Sequence, residues 1–213
     1  MNESSPSGAS TRRDVALVAA LLGVAFASVL SAAGQGKATF RRSTARTDLD
    51  TRVTRTVEHI ARELAPADRD TVWPALLPPL SSSDVRLRAP AGFVDGAVAW
   101  GPEVAFVREL EPGELDDGID NDGDGSVDEG VVVRIDEPGD RERRTVLARG
   151  VAELLQGEEL NGIDDNGNGL IDEPGLCFHI LGDALVVRLS LEAPGPDNDR
   201  IVRSLETRVL LRN

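Results

Sequence analysis

The chain has 213 residues, 23 Lys plus Arg against 37 Asp plus Glu, and a formal net charge of −14. That length suits one domain or a domain with one extra segment, and a 40% hydrophobic fraction is enough to build a core. Aromatic residues at 3%, no Tyr and the acidic balance speak against a nucleic-acid partner, which calls for stacking rings and clustered bases.

Cys177 is the single cysteine, which excludes an internal disulfide and a multi-cysteine zinc site. The two histidines, His59 and His179, leave little imidazole for catalysis. No phosphate loop, nucleophile–base set or protonated-acid pair stands out, so neither an enzyme nor a small-molecule substrate is expected.

A polar leader, 1–13, precedes an apolar run, 15–36, that carries no charged side chain. At about 1.5 Å per residue the run reaches ~33 Å, against a hydrocarbon core of ~30 Å. This predicts a membrane-spanning segment over 14–36. A cleaved secretory signal peptide is the alternative, with Arg12 and Arg13 as its basic region and Ala32 and Ala33 near its cleavage point. Signal-peptide apolar regions are usually shorter, about 7–15 residues.

Between 37 and 65 there is no Gly or Pro, and Leu49, Val53, Val57, Ile60 and Leu64 recur at spacings of three and four. That is one face of an amphipathic helix, and Pro66 closes it. Read together, 14–65 predicts one helix of about fifty residues, apolar all round in its first half and amphipathic in its second, 37–65.

From 66 to 213 the pattern turns strand-like. Runs at 85–87, 97–100, 104–110, 131–135, 176–180, 184–191 and 201–211 predict strands, while 146–156 fits either a short helix or a strand. Leu185, Val187, Leu189 and Leu191 alternate, giving one buried face. The turn-rich stretch 193–199 predicts an antiparallel hairpin between the last two runs. The expected fold class is α+β: a long N-terminal helix packed on an antiparallel β-sheet.

Two acidic stretches interrupt the strands. Residues 117–129 read DGIDNDGDGSVDE and residues 161–173 read NGIDDNGNGLIDE, an ungapped repeat. Together they hold ten acidic side chains and no base, which leaves the rest of the chain at −4. A hard cation such as Ca²⁺ takes about six to eight oxygens. Alternate side chains before a turn-making Gly deliver three of them from a short segment: Asp120, Asp122 and Asp124 in the first loop, Asp164, Asn166 and Asn168 in the second. The carbonyls of Ser126 and Leu170 follow, then Asp128 and Asp172, then Glu129 and Glu173. Position 12 of an EF-hand falls on Val131 and Gly175, so the usual bidentate Glu is missing there, and Glu129, Glu173, Asp117 or another segment must complete the set. Five carboxylates between Asp120 and Glu129 repel one another unless a cation neutralises them. With two amides in place of carboxylates, the second loop is expected to bind more weakly. The expected cofactor is Ca²⁺ in both loops. The pair also resembles a calcium-type motif found in many secreted bacterial proteins.

The stretch DVALVAAL, 14–21, resembles the acidic residue and aliphatic run of type IV pilins and pseudopilins. The stretch LARGV, 147–151, and the ending SLETRVLLRN, 204–213, resemble minor pilins of the J and W kinds. The family's Gly-then-fifth-Glu spacing is replaced here by Gly8 with Asp14 sixth. The resemblance implies a membrane-anchored structural subunit of a type II secretion or type IV pilus-like assembly. Its partners would be sister pilin or pseudopilin subunits met through the N-terminal helix, together with the membrane. The expected location is the inner membrane, single-pass, with the C-terminal domain extracytoplasmic. Lys37, Arg41, Arg42 and Arg46 after the span pull the other way, because flanking bases favour the cytoplasmic side. The alternative is a secreted or surface calcium-dependent binding protein with a signal anchor.

Of the remaining residues, Cys177 and His179 fall on one face of a predicted strand and read as a buried thiol beside a satisfied histidine. His59 reads as surface, and Trp73 and Trp100 as core or helix-packing residues.

Overall fold

A computed structural model describes residues 39–139, 142–195 and 199–212. The chain divides between Ser43 and Thr44. Of the first unit only residues 39–43 are described, and they belong to a helix, α1, described over 39–64. The second unit holds everything else described below. The leader 1–13 and the expected span 14–36 lie outside the described residues.

The architecture is mostly antiparallel sheet. After a 3₁₀ turn at Arg69–Thr71 come β1 (Asp84–Val94), β2 (Ala97–Leu110), β3 (Gly130–Asp136), β4 (Arg143–Val151), β5 (Leu176–Leu181), β6 (Ala184–Pro194) and β7 (Arg200–Leu210). The order across the sheet is β1-β2-β3-β4-β6-β5, with β7 paired to β6.

This corrects the expected fold class. In place of a long helix packed on a sheet, the described residues form mostly antiparallel sheet, with seven strands and one short helix, 39–64. No helix among the described residues is long and apolar enough to cross a membrane. Among the described residues helix is confined to 39–64 and closed by Pro66, while the apolar runs beyond it pair across seven strands, so cross-strand pairing makes most of the described structure.

The amphipathic stripe itself sits in the core. Leu49, Val53, Val57, Ile60 and Leu64 are buried with Val85, Leu87, Phe106, Val132, Leu185, Val187, Leu189 and Leu191. Burial of such a side chain stabilises by ~1.5–3 kcal/mol, so the five together contribute on the order of 10 kcal/mol against the chain entropy of folding. Period-2 alternation assigns the two sheet faces. Phe106 and Val132 join the helix side, while Ala105, Val131, Val133 and Ile135 form a separate small cluster with Val107 on the other. Arg134 donates to Glu63 at 2.8 Å and Arg203 pairs with Asp50 at 2.9 Å, tying α1 to β3 and β7 at its edges.

The strand runs appear where the pattern put them, but β1 runs on past the expected 85–87 to Val94, and there are two further differences. The runs 97–100 and 104–110 are one strand, β2, because the β1–β2 register slips around Gly101-Pro102 and absorbs the proline in an irregularity. The ambiguous stretch 146–156 is strand as far as Val151. The sheet is two blocks, β1–β4 and β5–β7, joined by a single strand pair, Val151 with Leu191. Hydrogen bonds from Ala152 N to Ser190 O (3.1 Å) and from Gly175 N to Glu153 O (3.0 Å) extend the joint. A Cβ at Gly175 would lie 1.9 Å from the Ala152 carbonyl oxygen, so only glycine lets the blocks approach this closely.

This topology brings both acidic loops to one end of the sheet. The first connects Leu110 to Gly130, the second Val151 to Leu176. Gly130 pairs with both Leu110 and Val151.

Candidate metal centre

Each loop is a closed unit, and the two have the same hydrogen-bond plan. The Glu111 N–H donates to the Glu129 carbonyl at 3.0 Å, and the Leu155 N–H donates to the Glu173 carbonyl at 2.9 Å. Asp128 accepts from Asp117 N and Gly118 N (3.2 and 2.8 Å). Asp172 accepts from Asn161 N (3.0 Å) and Gly162 N (3.0 and 2.9 Å). Both aspartates hold positive φ, 50° and 49°, a left-handed conformation that short polar side chains tolerate.

The first metal-type positions shape the turn as well. Asp120 accepts from Gly123 N (2.6 Å) and Gly125 N (2.9 Å). Asp164 accepts from Gly167 N (2.7 Å), Asn168 N (3.0 Å) and Gly169 N (2.8 Å). Those amide dipoles hold the Asp164 carboxyl below its ordinary range, the Gly169 N–H bond foremost. Asp122 accepts from Asp124 N at 3.0 Å, Asp124 from Ser126 N at 2.9 Å, and Asn168 from Leu170 N at 3.0 Å. Ser126 and Leu170 are buried.

Two residues that the sequence pattern omitted complete the loops. Glu114 accepts from Asn121 N (3.1 Å) and Asp122 N (2.9 Å). In the second loop Glu158 accepts from Asn166 N at 2.9 Å. The signal was present in the sequence, since Gly113-Glu114 and Gly157-Glu158 extend the ungapped repeat by four residues. Both glycines have positive φ, 113° and 94°, and a Cβ on either would meet the Cβ of Asp122 or Asn166 at 3.2 Å. Glycine there lets the preceding segment fold across the loop and bring its glutamate inside.

The geometry therefore turns the acidic loops inward. Oxygens of Glu114, Asp122 and Glu129 lie within 4.8 Å of one another, as do those of Asp120, Asp122 and Asp124, with Asp122 common to both groups. Ligands on one Ca²⁺ at 2.3–2.6 Å are separated by at most about 5 Å, so each group fits a single ion. Glu129 is 1% exposed, and neither of its carboxylate oxygens has a hydrogen-bond partner among the described residues. Glu114 is 6% exposed, and its Oε2 is likewise unpartnered. Burial pushes the Glu129 carboxyl up to about 7, and the charges of Asp124, Glu114 and Asp122 push it the same way. A hard divalent cation is the chemistry that such a donor set accepts.

In the second loop the matching positions are Glu158, Asn166 and Glu173, all with oxygen donors. Glu173 is fully buried and its carboxyl is also raised by burial. Unlike Glu129 it has partners on one oxygen: the Asn168 amide donates to Oε1, and Arg188 Nη1 sits 3.3 Å from the same oxygen, while its Oε2 and that of Glu158 have no partner among the described residues. A third acidic group, Asp116, Asp128 and Glu153, surrounds Arg108, whose Nη2 donates to the Asp128 carbonyl at 2.7 Å.

Elsewhere the structure revises smaller expectations. Trp73 and Trp100 are exposed, and Trp73 instead takes the Arg86 guanidinium over its ring at 5.5 Å. Cys177 is buried against Leu155 and Leu170 of the second loop, and burial pushes its thiol up to about 12. His179 is buried, but its Nδ1 has no partner among the described residues. Burial first, then the Arg188 charge, lower its pKa to about 4. His59 is half-exposed and faces Glu63 at 2.9 Å.

Comparison with protein-family models, with curated proteins and with solved structures finds no match to this chain.

Proposed function

We propose that the chain is a calcium-braced, membrane-anchored structural protein with a β-rich extracytoplasmic domain. Within that class, its sequence favours a minor pilin or pseudopilin-like subunit of a type II secretion or type IV pilus-like assembly. No catalytic role is part of this proposal. The observation that carries the calcium part is the pair of buried glutamates in the first loop, Glu129 with both oxygens unpartnered and Glu114 with its Oε2 unpartnered. Two ionised carboxyls out of water cost several kcal/mol unless charge is supplied, and an extracytoplasmic setting offers Ca²⁺ at concentrations that modest-affinity loops of this kind can use. The assembly part is supported by the sequence: the apolar run, 15–36, is followed closely by the stripe of α1, Leu49 to Leu64, that the core buries.

The test is the mass of the mature N-terminus together with membrane fractionation. A short leader removed ahead of an intact apolar run, with the protein in the membrane fraction, is the expected result. Loss of the whole apolar run, or a full-length chain in the soluble fraction, would sink the assembly role.

One observation favours a second reading, a calcium-dependent surface-binding protein. The β1–β2 ribbon runs on beyond the last β2–β3 pair, Val104 with Asp136, and exposes Phe93, Val94 and Val98 toward its tip. Exposed apolar side chains on such a ribbon suit contact with another protein.

A further inference from the structure

The two loops share a backbone but not a charge balance. In the second, an internal cation already reaches the cage. Arg188 on β6 stands directly across from Cys177 on β5, and Cys177 lies beneath the loop with Leu155 and Leu170. From there its guanidinium meets Glu173 at 3.3 Å and Glu206 at 2.8 Å. The Asn168 amide donates to the same Glu173 oxygen.

Nothing comparable reaches the first cage among the described residues. Position 168 is matched there by Asp124, an acceptor with no amide to donate. Arg108 spends Nη2 on a carbonyl, Asp128 O, and forms no ion pair with Glu129. Glu129, 99% buried with both oxygens unpartnered, points into a group whose other members, Glu114 and Asp122, are carboxylates too.

We propose that the first loop alone binds a divalent cation of the calcium type, held between Glu114, Asp122 and Glu129, and that Arg188 stands in for a second ion in the other loop. This rests on the calcium brace proposed above and narrows it from two sites to one. Glu114 is thereby assigned as a metal ligand from outside the acidic repeat, delivered by the close approach at Gly113.

The experiment is calorimetric titration of the full chain, in detergent after chelator treatment, with CaCl₂ as the only probe. One ion per chain is expected. Glu114→Gln should weaken binding at least tenfold while Glu158→Gln leaves it unchanged, and Arg188→Gln should raise the stoichiometry to two. Circular dichroism reports whether each variant retains its sheet, and Asp122→Asn, expected to weaken binding like Glu114→Gln, serves where Glu114→Gln does not fold. Two ions in the unmodified chain would overturn the one-site assignment and leave the calcium brace standing. Equal effects of the Glu114 and Glu158 substitutions, or no second ion in Arg188→Gln, would overturn it as well. No binding at all would overturn both this proposal and the calcium part of the function, without touching the N-terminal mass that tests the anchor.

Discussion

The loop at 111–129 and the loop at 155–173 are the same backbone solved twice with different chemistry. Both close through the same N–H to carbonyl bond, both use an aspartate at positive φ, and both fold a Gly-Glu pair inward. They part at two ligand positions within the loop, Asp122 against Asn166 and Asp124 against Asn168, and in the presence of Arg188 under the second alone. Backbone geometry here is set by glycines and aspartate caps, whereas the charge left unanswered in each loop is set by what a neighbouring strand supplies. A repeat in sequence is therefore no guarantee of a repeat in charge balance.

The largest expected effect probes that difference directly. In calcium-free buffer Arg188→Gln should destabilise the protein by about 3–5 kcal/mol, because Glu173 is left as a buried charge without its ion pair. Glu129→Gln under the same conditions should be neutral or stabilising, since it removes a carboxylate that has no partner. Urea unfolding of the two variants side by side measures both. Equal losses would mean that the loops are balanced alike.

Acid should act on the second loop's side of the sheet. His179 has a folded pKa of about 4, below its unfolded value of about 6.5. Between those values the unfolded chain takes up a proton that the folded one refuses, so the stability from neutral His179 is full above pH ~6.5 and lost as pH falls toward 4. The window corresponds to about 3 kcal/mol. Its signature is the difference between the original chain and His179→Leu, whose stability should fall less over that pH range.

Calcium addition comes next. At a hundredfold excess over Kd it should stabilise the folded chain by about 2.7 kcal/mol, read as a rise in Tm. The double substitution Asp122→Ala with Asp124→Ala should abolish most of that rise. A full rise in the double variant would place the ion elsewhere.

The smallest effects test the shared backbone. Gly113→Ala and Gly157→Ala each force a side chain into a positive-φ position with a 3.2 Å contact, at a cost of about 1–3 kcal/mol. Their thermal shifts should be similar in calcium-free buffer. In saturating calcium Gly113→Ala should lose more, because Glu114 follows it into the cage.

Local pattern made much of this protein legible before any coordinates. Alternation at Leu185, Val187, Leu189 and Leu191 named a buried strand face, and spacings of three and four named the stripe of α1 that the core takes up. Gly and Asp spacing located both loops. The long-helix architecture was misread because the sheet that makes most of the described structure is built by pairing between distant residues and shows in the sequence only as short local runs. Trp73 and Trp100 were misread because size and apolar character do not fix burial at a strand end or in a loop.

Periodicity and turn chemistry act over a few residues, so the sequence by itself determined the strands, the amphipathic stripe and the doubled acidic turns. Register across strands acts between residues far apart in the chain. Tertiary structure alone placed Arg188 opposite Cys177 beneath one loop, sank Glu129 and Glu173 out of water, and passed two sheet blocks through a gap that only Gly175 leaves open. A buried charge is answered by whatever the fold brings within a few ångströms of it, and no spacing along the chain records that distance.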